Sequence, residues 1–221
     1  MNSPEAKPYL NGHSIVKQLV SNPIFPGDKA ELTHEEKTKA IADHFREIML
    51  ILGLDLNDDS LRNTPSRVAK MYIGEIFSGL LEENEPDITL FENKYHYSEM
   101  LIEKNISVYS TCEHHFVPII GKAHIAYMPN GKVVGLSKLN RIVHYFSKRP
   151  QVQERLTVQI AGYLKKVLHT EDVAVVIEAT HLCVISRGIR DVDSSTITSS
   201  YHGQFLDAEK RKEFNRQLNH Q

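Results

Sequence analysis

Gly121-Lys122-Ala123-His124-Ile125-Ala126-Tyr127-Met128 is the stretch on which the fold of this chain turns. Ala123, Ile125 and Tyr127 alternate with Lys122, His124 and Ala126, the two-residue period of a strand with one buried face. Pro129-Asn130-Gly131 ends the run as a turn, and Val133-Val134-Gly135-Leu136 returns as a strand. Upstream, Ile102 to Ser110 alternates well enough for another strand. Downstream the period changes. Leu139, Ile142, Val143 and Phe146 recur at helical spacing behind Ser137, which reads as the helix cap. Arg149-Pro150 interrupts. Val152, Leu156, Ile160, Leu164 and Val167 then stay in register along a second, longer helix. Asp172 leads into the β-rich run Val173 to Ala179, and His181 to Ser186 and Ser194 to Tyr201 are further strand candidates. The order is two strands, two helices, two strands. A last helix from Asp207, with Phe214 and Leu218 apolar, closes an α+β chain.

The N-terminal third is helical. Thr33-His34-Glu35-Glu36 has the form of a capping box, apolar residues follow at Ile41, Phe45, Ile48 and Leu52, and Gly53 ends the helix. Thr64-Pro65 starts another, with proline in its first turn and Val68, Met71, Tyr72 and Ile76 as its apolar face. The first 30 or so residues are broken by Pro4, Pro8, Pro23 and Pro26 around one short helical candidate, Ser14 to Ser21. These shifts divide the chain into a variable segment 1–30, a helical region 31–100 and an α+β unit 101–221 that ends in the C-terminal helix.

Both cysteines lie in chemically dense surroundings. Cys112 sits in Ser110-Thr111-Cys112-Glu113-His114-His115-Phe116, and Cys183 in His181-Leu182-Cys183. Cys112 and His115 are spaced so that one tight turn presents both. Two thiolates and an imidazole suit a tetrahedral zinc ion, and three protein ligands without a fourth leave room for a water that does chemistry. A pair of buried small hydrophobes and a disulfide are the plainer readings of two cysteines. His114 and His181 weigh against those readings. They flank the proposed ligands as spare titratable imidazoles, which acid–base catalysis needs and a structural metal does not.

Lys138 and Arg141 lie in the first turn of the helix after Gly135. The helix dipole disfavours cations there, so a bound anion that offsets the cost is expected. Arg187 and Arg190 follow Cys183, and Arg67 and Lys70 share a face of the earlier helix. Singly each reads as surface charge; together they point to a phosphate-rich ligand. Glu154 offers a carboxylate that can accept two N–H bonds from a guanine edge, although a surface charge favouring the helix N-terminus is the plainer reading of it.

The 221 residues carry a formal charge of -2, and 41% are apolar. With a pI near 6.6 and mean hydropathy of -0.34, bulk attraction to nucleic acid or to an anionic membrane is not implied. No apolar run is long enough to span a bilayer. The residues after Met1 lack the apolar core of a signal peptide, and the cysteines have a non-disulfide use, so a reducing cytoplasm is expected.

Four runs, in order, carry a resemblance to a known family. They are Ser110 to Phe116, Gly135-Leu136-Ser137-Lys138-Leu139-Asn140-Arg141-Ile142-Val143, Arg149-Pro150-Gln151-Val152-Gln153-Glu154-Arg155-Leu156-Thr157, and Arg187-Gly188-Ile189-Arg190-Asp191. The chain closely resembles zinc-dependent GTP cyclohydrolase I from about Thr33 to Phe205. The resemblance implies a tunnelling fold (T-fold), an antiparallel sheet with two packed helices preceded by an N-terminal helical region. It implies hydrolytic opening of the guanine ring of GTP by water, giving formate and 7,8-dihydroneopterin triphosphate at the entry to folate or pterin synthesis. Zinc would fall to Cys112, His115 and Cys183, and acid–base work to His114 and His181, with Ser137 assisting. Guanine would fall to Gln153 and Glu154. The triphosphate would fall to Ser137, Lys138, Arg141 and Arg187, with Arg67 and Lys70 reaching in from a neighbour in a homodecamer. Another purine or pterin enzyme of the same fold would need a three-histidine zinc site or a catalytic cysteine without this zinc set. A zinc-stabilised nucleic-acid module would need a fourth ligand and positive charge.

Overall fold

The computed structural model describes residues 32–219. The helical candidate Ser14 to Ser21 and the segment 1–30 lie outside them. Helix α1 (His34–Ile51) starts on the expected capping box: the Glu36 backbone N–H donates to Thr33 Oγ1 at 3.2 Å, and the Thr33 N–H donates back to Glu36 Oε2 at 2.8 Å. It ends on a Schellman motif. The Leu54 N–H donates to Met49 O and the Gly53 N–H to Leu50 O, with Gly53 at φ 79°, a conformation that costs glycine little. The expected apolar stripe is only partly covered. Met49 is buried, whereas Ile48 and Leu52 are exposed. Helix α2 (Thr64–Met71) carries Pro65 in its first turn and runs on into a π-helical turn, Tyr72–Ile76. Its fully buried residues are Pro65 and Ala69, with Val68, Met71, Tyr72 and Ile76 half-buried beside them.

The sheet follows. Strands β1 (Leu90–Glu92), β2 (Leu101–Cys112), β3 (Pro118–Tyr127) and β4 (Lys132–Val134) come first. Helix α3 (Leu136–Ser147), the two-residue strand β5 (Pro150–Gln151), helix α4 (Gln153–Leu168) and strand β6 (Val173–His181) come next. A single turn α5 (Leu182–Ile185), strand β7 (Thr196–Tyr201) and helix α6 (Ala208–Asn219) complete the chain. Five strands form one sheet in the order β5-β2-β3-β6-β7, antiparallel except where β5 joins β2.

Helices α3 and α4 pack on one face of this sheet. Leu139, Ile142, Val143 and Phe146 meet Leu156, Ile160 and Leu164 over Val108, Ala123, Ile125, Val175 and Ile177. Each fully buried leucine or isoleucine contributes roughly 1.5–3 kcal/mol. On the other face Phe214 of α6 and Phe205 cover Ala126, Met128, Ala174 and Val176. That is why Ala126, expected among the outward positions of its strand, is buried too. At Gly121 the pairing of β3 with β6 is so close that a Cβ would lie 2.1 Å from Glu178 O. Glycine is the residue this contact admits.

The expected return strand is present as β4, and two other expectations of local structure, the cap of α3 and the run after His181, are corrected. Val133 and its neighbours pair with Leu90–Glu92 in a separate two-stranded ribbon, because the sheet edges β3 could offer are already taken by β2 and β6. The cap of α3 is Gly135; Ser137 lies within the first turn, and no side chain caps the helix. The run His181 to Ser186 is a strand only at His181, after which α5 turns the chain away from the sheet.

Candidate active site

Cys112 ends β2 and is 5% exposed. Its N–H donates to Val117 O, and Phe116 N–H donates to Cys112 O, both at 2.8 Å. These bonds close a tight loop in which Phe116 takes φ 54° and its ring meets Phe77 at 5.3 Å. One turn therefore presents Cys112, His114 and His115. The return of Cys183 depends on β6. Ile119 of β3 pairs with His181, and α5 then sets Cys183 beside the loop. The donor atoms of Cys112, His115 and Cys183 lie within 4.8 Å of one another, a group that could hold a metal ion. Both cysteines are free thiols. Cys112 Sγ lies 4.0 Å from Nδ1 of His115 and also 4.0 Å from Nδ1 of His114. Burial and the neighbouring Cys112 thiol push the Cys183 thiol up from its ordinary range.

His181 borders the same group. Its Nε2 lies 2.8 Å from Oε1 of Gln153, the first residue of α4. Burial lowers its pKa, opposed by the charge of Glu154. Gln153 is 1% exposed, whereas Glu154 beside it is exposed. Two residues that sequence reasoning did not single out tie the loop down from below. Arg155 donates to Glu113, to Gln151 Oε1 at 3.0 Å and to Pro150 O at 3.2 Å. The Glu113 N–H donates to Gln151 O, and Glu113 Oε1 lies 3.9 Å from His114 Nε2. Opposite charges at Glu113 and Arg155 were readable in the runs already quoted, but only the short parallel pairing of β5 with β2 makes them neighbours.

Two kinds of comparison bear on this site. The family model for GTP cyclohydrolase I matches residues 41–219. The chain belongs to the GTP cyclohydrolase I family. A protein of Flavobacterium johnsoniae named GTP cyclohydrolase 1 is 55% identical over 203 residues, 92% of this chain and 91% of its own. Proteins of the same name from Vibrio vulnificus strain YJ016 and Haemophilus influenzae strain PittEE are 52% and 49% identical, covering 87% and 91% of this chain and 87% and 92% of their own. Among solved structures, an archaeosine synthase QueF-like protein in its apo form overlaps 47% of this chain and 93% of its own at a TM-score of 0.40 and 14% identity, a likeness too slight to weigh. Members named in this way are hydrolases, and the α+β sheet with two packed helices is the T-fold of the family.

The remaining candidates of this GTP cyclohydrolase I family chain are spread more widely. Ser137, Lys138 and Arg141 share the start of α3, and the Lys138 ammonium donates to Asp87 O at 2.6 Å. Arg141 lines a cleft of about 400 Å³ with Glu85, Asp87, His144, Tyr145 and Lys148. Arg187 follows α5, and its positive charge reaches Cys183. Arg67 and Lys70 are exposed on α2, and Lys70 lines a different cleft with Ser66 and the first turn of α1. Within one chain, therefore, the loops of the cysteines, His181 and Gln153 come together, while Lys70 of α2 faces the first turn of α1. Among the described residues no helix is long and apolar enough to cross a membrane.

Proposed function

We propose that this chain is a zinc-dependent GTP cyclohydrolase I, converting GTP and water to formate and 7,8-dihydroneopterin triphosphate. The observation that carries the reading is the convergence of Cys112, His115 and Cys183 with two further imidazoles, His114 and His181, at their border. Two thiols and one imidazole match the donor preferences of zinc, and three ligands match a catalytic rather than a structural site. Zinc held there would lower the pKa of a bound water so that hydroxide is available near neutrality.

The chain's own residues supply the rest. His181 is the group that protonates guanine N7, making C8 electrophilic. Glu154, exposed beside it, accepts from the N–H edge of the base. His114, exposed at the mouth of the loop, carries protons in ribose opening and rearrangement, with Ser137 assisting. Ser137, Lys138, Arg141 and Arg187 hold the triphosphate, whose unreactive phosphates lend binding energy to positioning.

Arg67 and Lys70 reach a neighbour's triphosphate in a homo-oligomer, read as a homodecamer. Apolar residues left uncovered at the end of α1 support an assembly: Ile51 is 83% and Leu52 70% exposed. The unit 101–221 is catalytic, and the helical region 31–100 braces it through Phe77 against Phe116 and through the Gly79 N–H donated to Lys148 O at 2.9 Å. Two free thiols used as ligands fit a cytoplasmic setting, with neither nucleic acid nor membrane as partner. Incubation of the zinc-loaded protein with GTP should release formate and yield a pterin, fluorescent after oxidation. Zinc-replete protein that binds GTP and releases no formate would overturn the reading.

A further inference from the structure

Gln153 lies inside the protein at the joint of α4, β6 and β7. Its Nε2 lies 3.0 Å from Ile177 O, 2.9 Å from Thr196 O and 3.2 Å from Thr198 Oγ1. Two of these partners are backbone carbonyls, which only accept. The end of the amide facing them must therefore be the NH₂ group, since the flipped amide would set oxygen against two oxygens at a buried position. Its backbone is held as well: Thr157 Oγ1 donates to Gln153 O at 2.8 Å and lies 2.6 Å from Thr198 Oγ1.

The consequence falls on His181. Gln153 Oε1, 2.8 Å from His181 Nε2, is an acceptor only, so His181 Nε2 must carry the hydrogen. In the neutral ring the lone pair then lies on Nδ1, and in the imidazolium form the Nδ1–H is the proton available to guanine N7. Resting on the activity proposed above, we infer that Gln153 is a positioning residue that fixes the tautomer and orientation of His181, leaving Nδ1 as the nitrogen that exchanges protons with the substrate. The resemblance to the family implies contact of both Gln153 and Glu154 with guanine. Here the two adjacent residues divide the work, with Gln153 turned inward to the histidine and Glu154 outward to the base.

The test compares the zinc-loaded Gln153→Leu and Gln153→Glu proteins with wild type. It measures kcat, the equilibrium dissociation constant for GTP, and the preference for GTP over inosine triphosphate, which lacks the 2-amino group. A positioning role predicts that Gln153→Leu lowers kcat by ~10–100-fold, a part of what a general acid contributes. It also predicts a GTP dissociation constant within about twofold of wild type and an unchanged base preference. Gln153→Glu keeps an acceptor oxygen facing His181 but sets its other oxygen against the carbonyls of Ile177 and Thr196 unless its carboxyl is protonated, so it should recover part of the loss only towards acidic pH. In a His181→Ala background the Gln153→Leu change should cost nothing more, because the residue it acts through is gone.

A weakened GTP affinity with a collapsed base preference would overturn the inference in favour of base reading, and so would a full multiplicative loss in the His181→Ala background. A readout without any Gln153 variant covers the case in which both fail to assemble. Solid-state ¹⁵N spectra of histidine-labelled wild-type protein, with His181 assigned by its absence in His181→Ala, should show the neutral ring protonated at Nε2. An Nδ1–H ring would refute the inference. Wild-type formate release, measured in parallel, tests the activity separately: its absence would count against the enzyme reading, whereas an Nδ1–H His181 in an active enzyme would count against Gln153 alone.

Discussion

Arg155 gives the sharpest test of how the metal loop is held. Its side chain is 16% exposed and that of Glu113, with which it pairs, 24%, so solvent screens the pair only weakly. The guanidinium also satisfies Gln151 Oε1 and Pro150 O. Arg155→Met keeps most of the apolar stem and deletes all three interactions, leaving a mostly buried carboxylate unpaired. Breaking a fully buried pair costs ~3–5 kcal/mol; with the residual exposure of both groups, roughly 2–4 kcal/mol is expected here.

The effect should not stop at stability. Glu113 lies between two of the proposed ligands and their neighbour His114, so its release loosens the loop that holds Cys112 and His115. Groups that orient metal ligands typically govern ~10–100-fold in affinity. Urea unfolding at fixed protomer concentration reads the first quantity, and competition with a zinc chelator reads the second. Glu113→Gln, which keeps one acceptor for Arg155, should fall between wild type and Arg155→Met on both. An Arg155→Met protein with an unchanged urea midpoint and unchanged zinc affinity would show that the pair does not brace the loop.

Four further outcomes are expected. Cys183→Ser should lose zinc by atomic absorption, while His114→Ala keeps it and loses ~10²–10⁴-fold in turnover; metal loss in His114→Ala would make that residue a ligand. Arg67→Ala and Cys183→Ser proteins, each inactive, should regain activity when dissociated and reassembled together, because some interfaces then pair an intact Arg67 with an intact cysteine set. Verified mixed assemblies without activity would argue against a shared site. Gly121→Ala should cost roughly 3 kcal/mol or more, because its Cβ would meet the backbone of Glu178 and Ala179 and neither strand can yield alone; a melting temperature equal to wild type would refute this. His124 accepts from the Asn105 N–H at 3.3 Å, faces Glu178, Lys122 and Lys104, and has its pKa lowered by burial. The unfolded chain therefore takes up that proton first, and stability should fall as pH drops below about 6.5, less so in His124→Gln; equal slopes for the two proteins would exclude His124 as a source.

What was legible in the sequence is what neighbouring residues decide among themselves. Thr33 and Glu36 cap α1 because their side chains reach each other's backbone, and Gly53 ends it because the left-handed turn there costs glycine little. The apolar faces of α3 and α4 follow from periods within a single element. The spacing of Cys112 and His115 likewise foretold one loop presenting both.

Tertiary structure decided where those elements meet. Cys183 reaches the loop only because β6 pairs with β3, and the turn after His181 that delivers it interrupts what read as a strand. Lys132–Val134 found its partner in Leu90–Glu92, not in the strand beside it in sequence. The resemblance gave Gln153 to guanine, yet its donors end on carbonyls of β6 and β7 and its acceptor on His181. Local periodicity determines which face of an element is apolar. Hydrogen-bond partners of a buried amide come from strands distant in the chain, and only their assembly determines whether Gln153 faces a substrate or the histidine beside it.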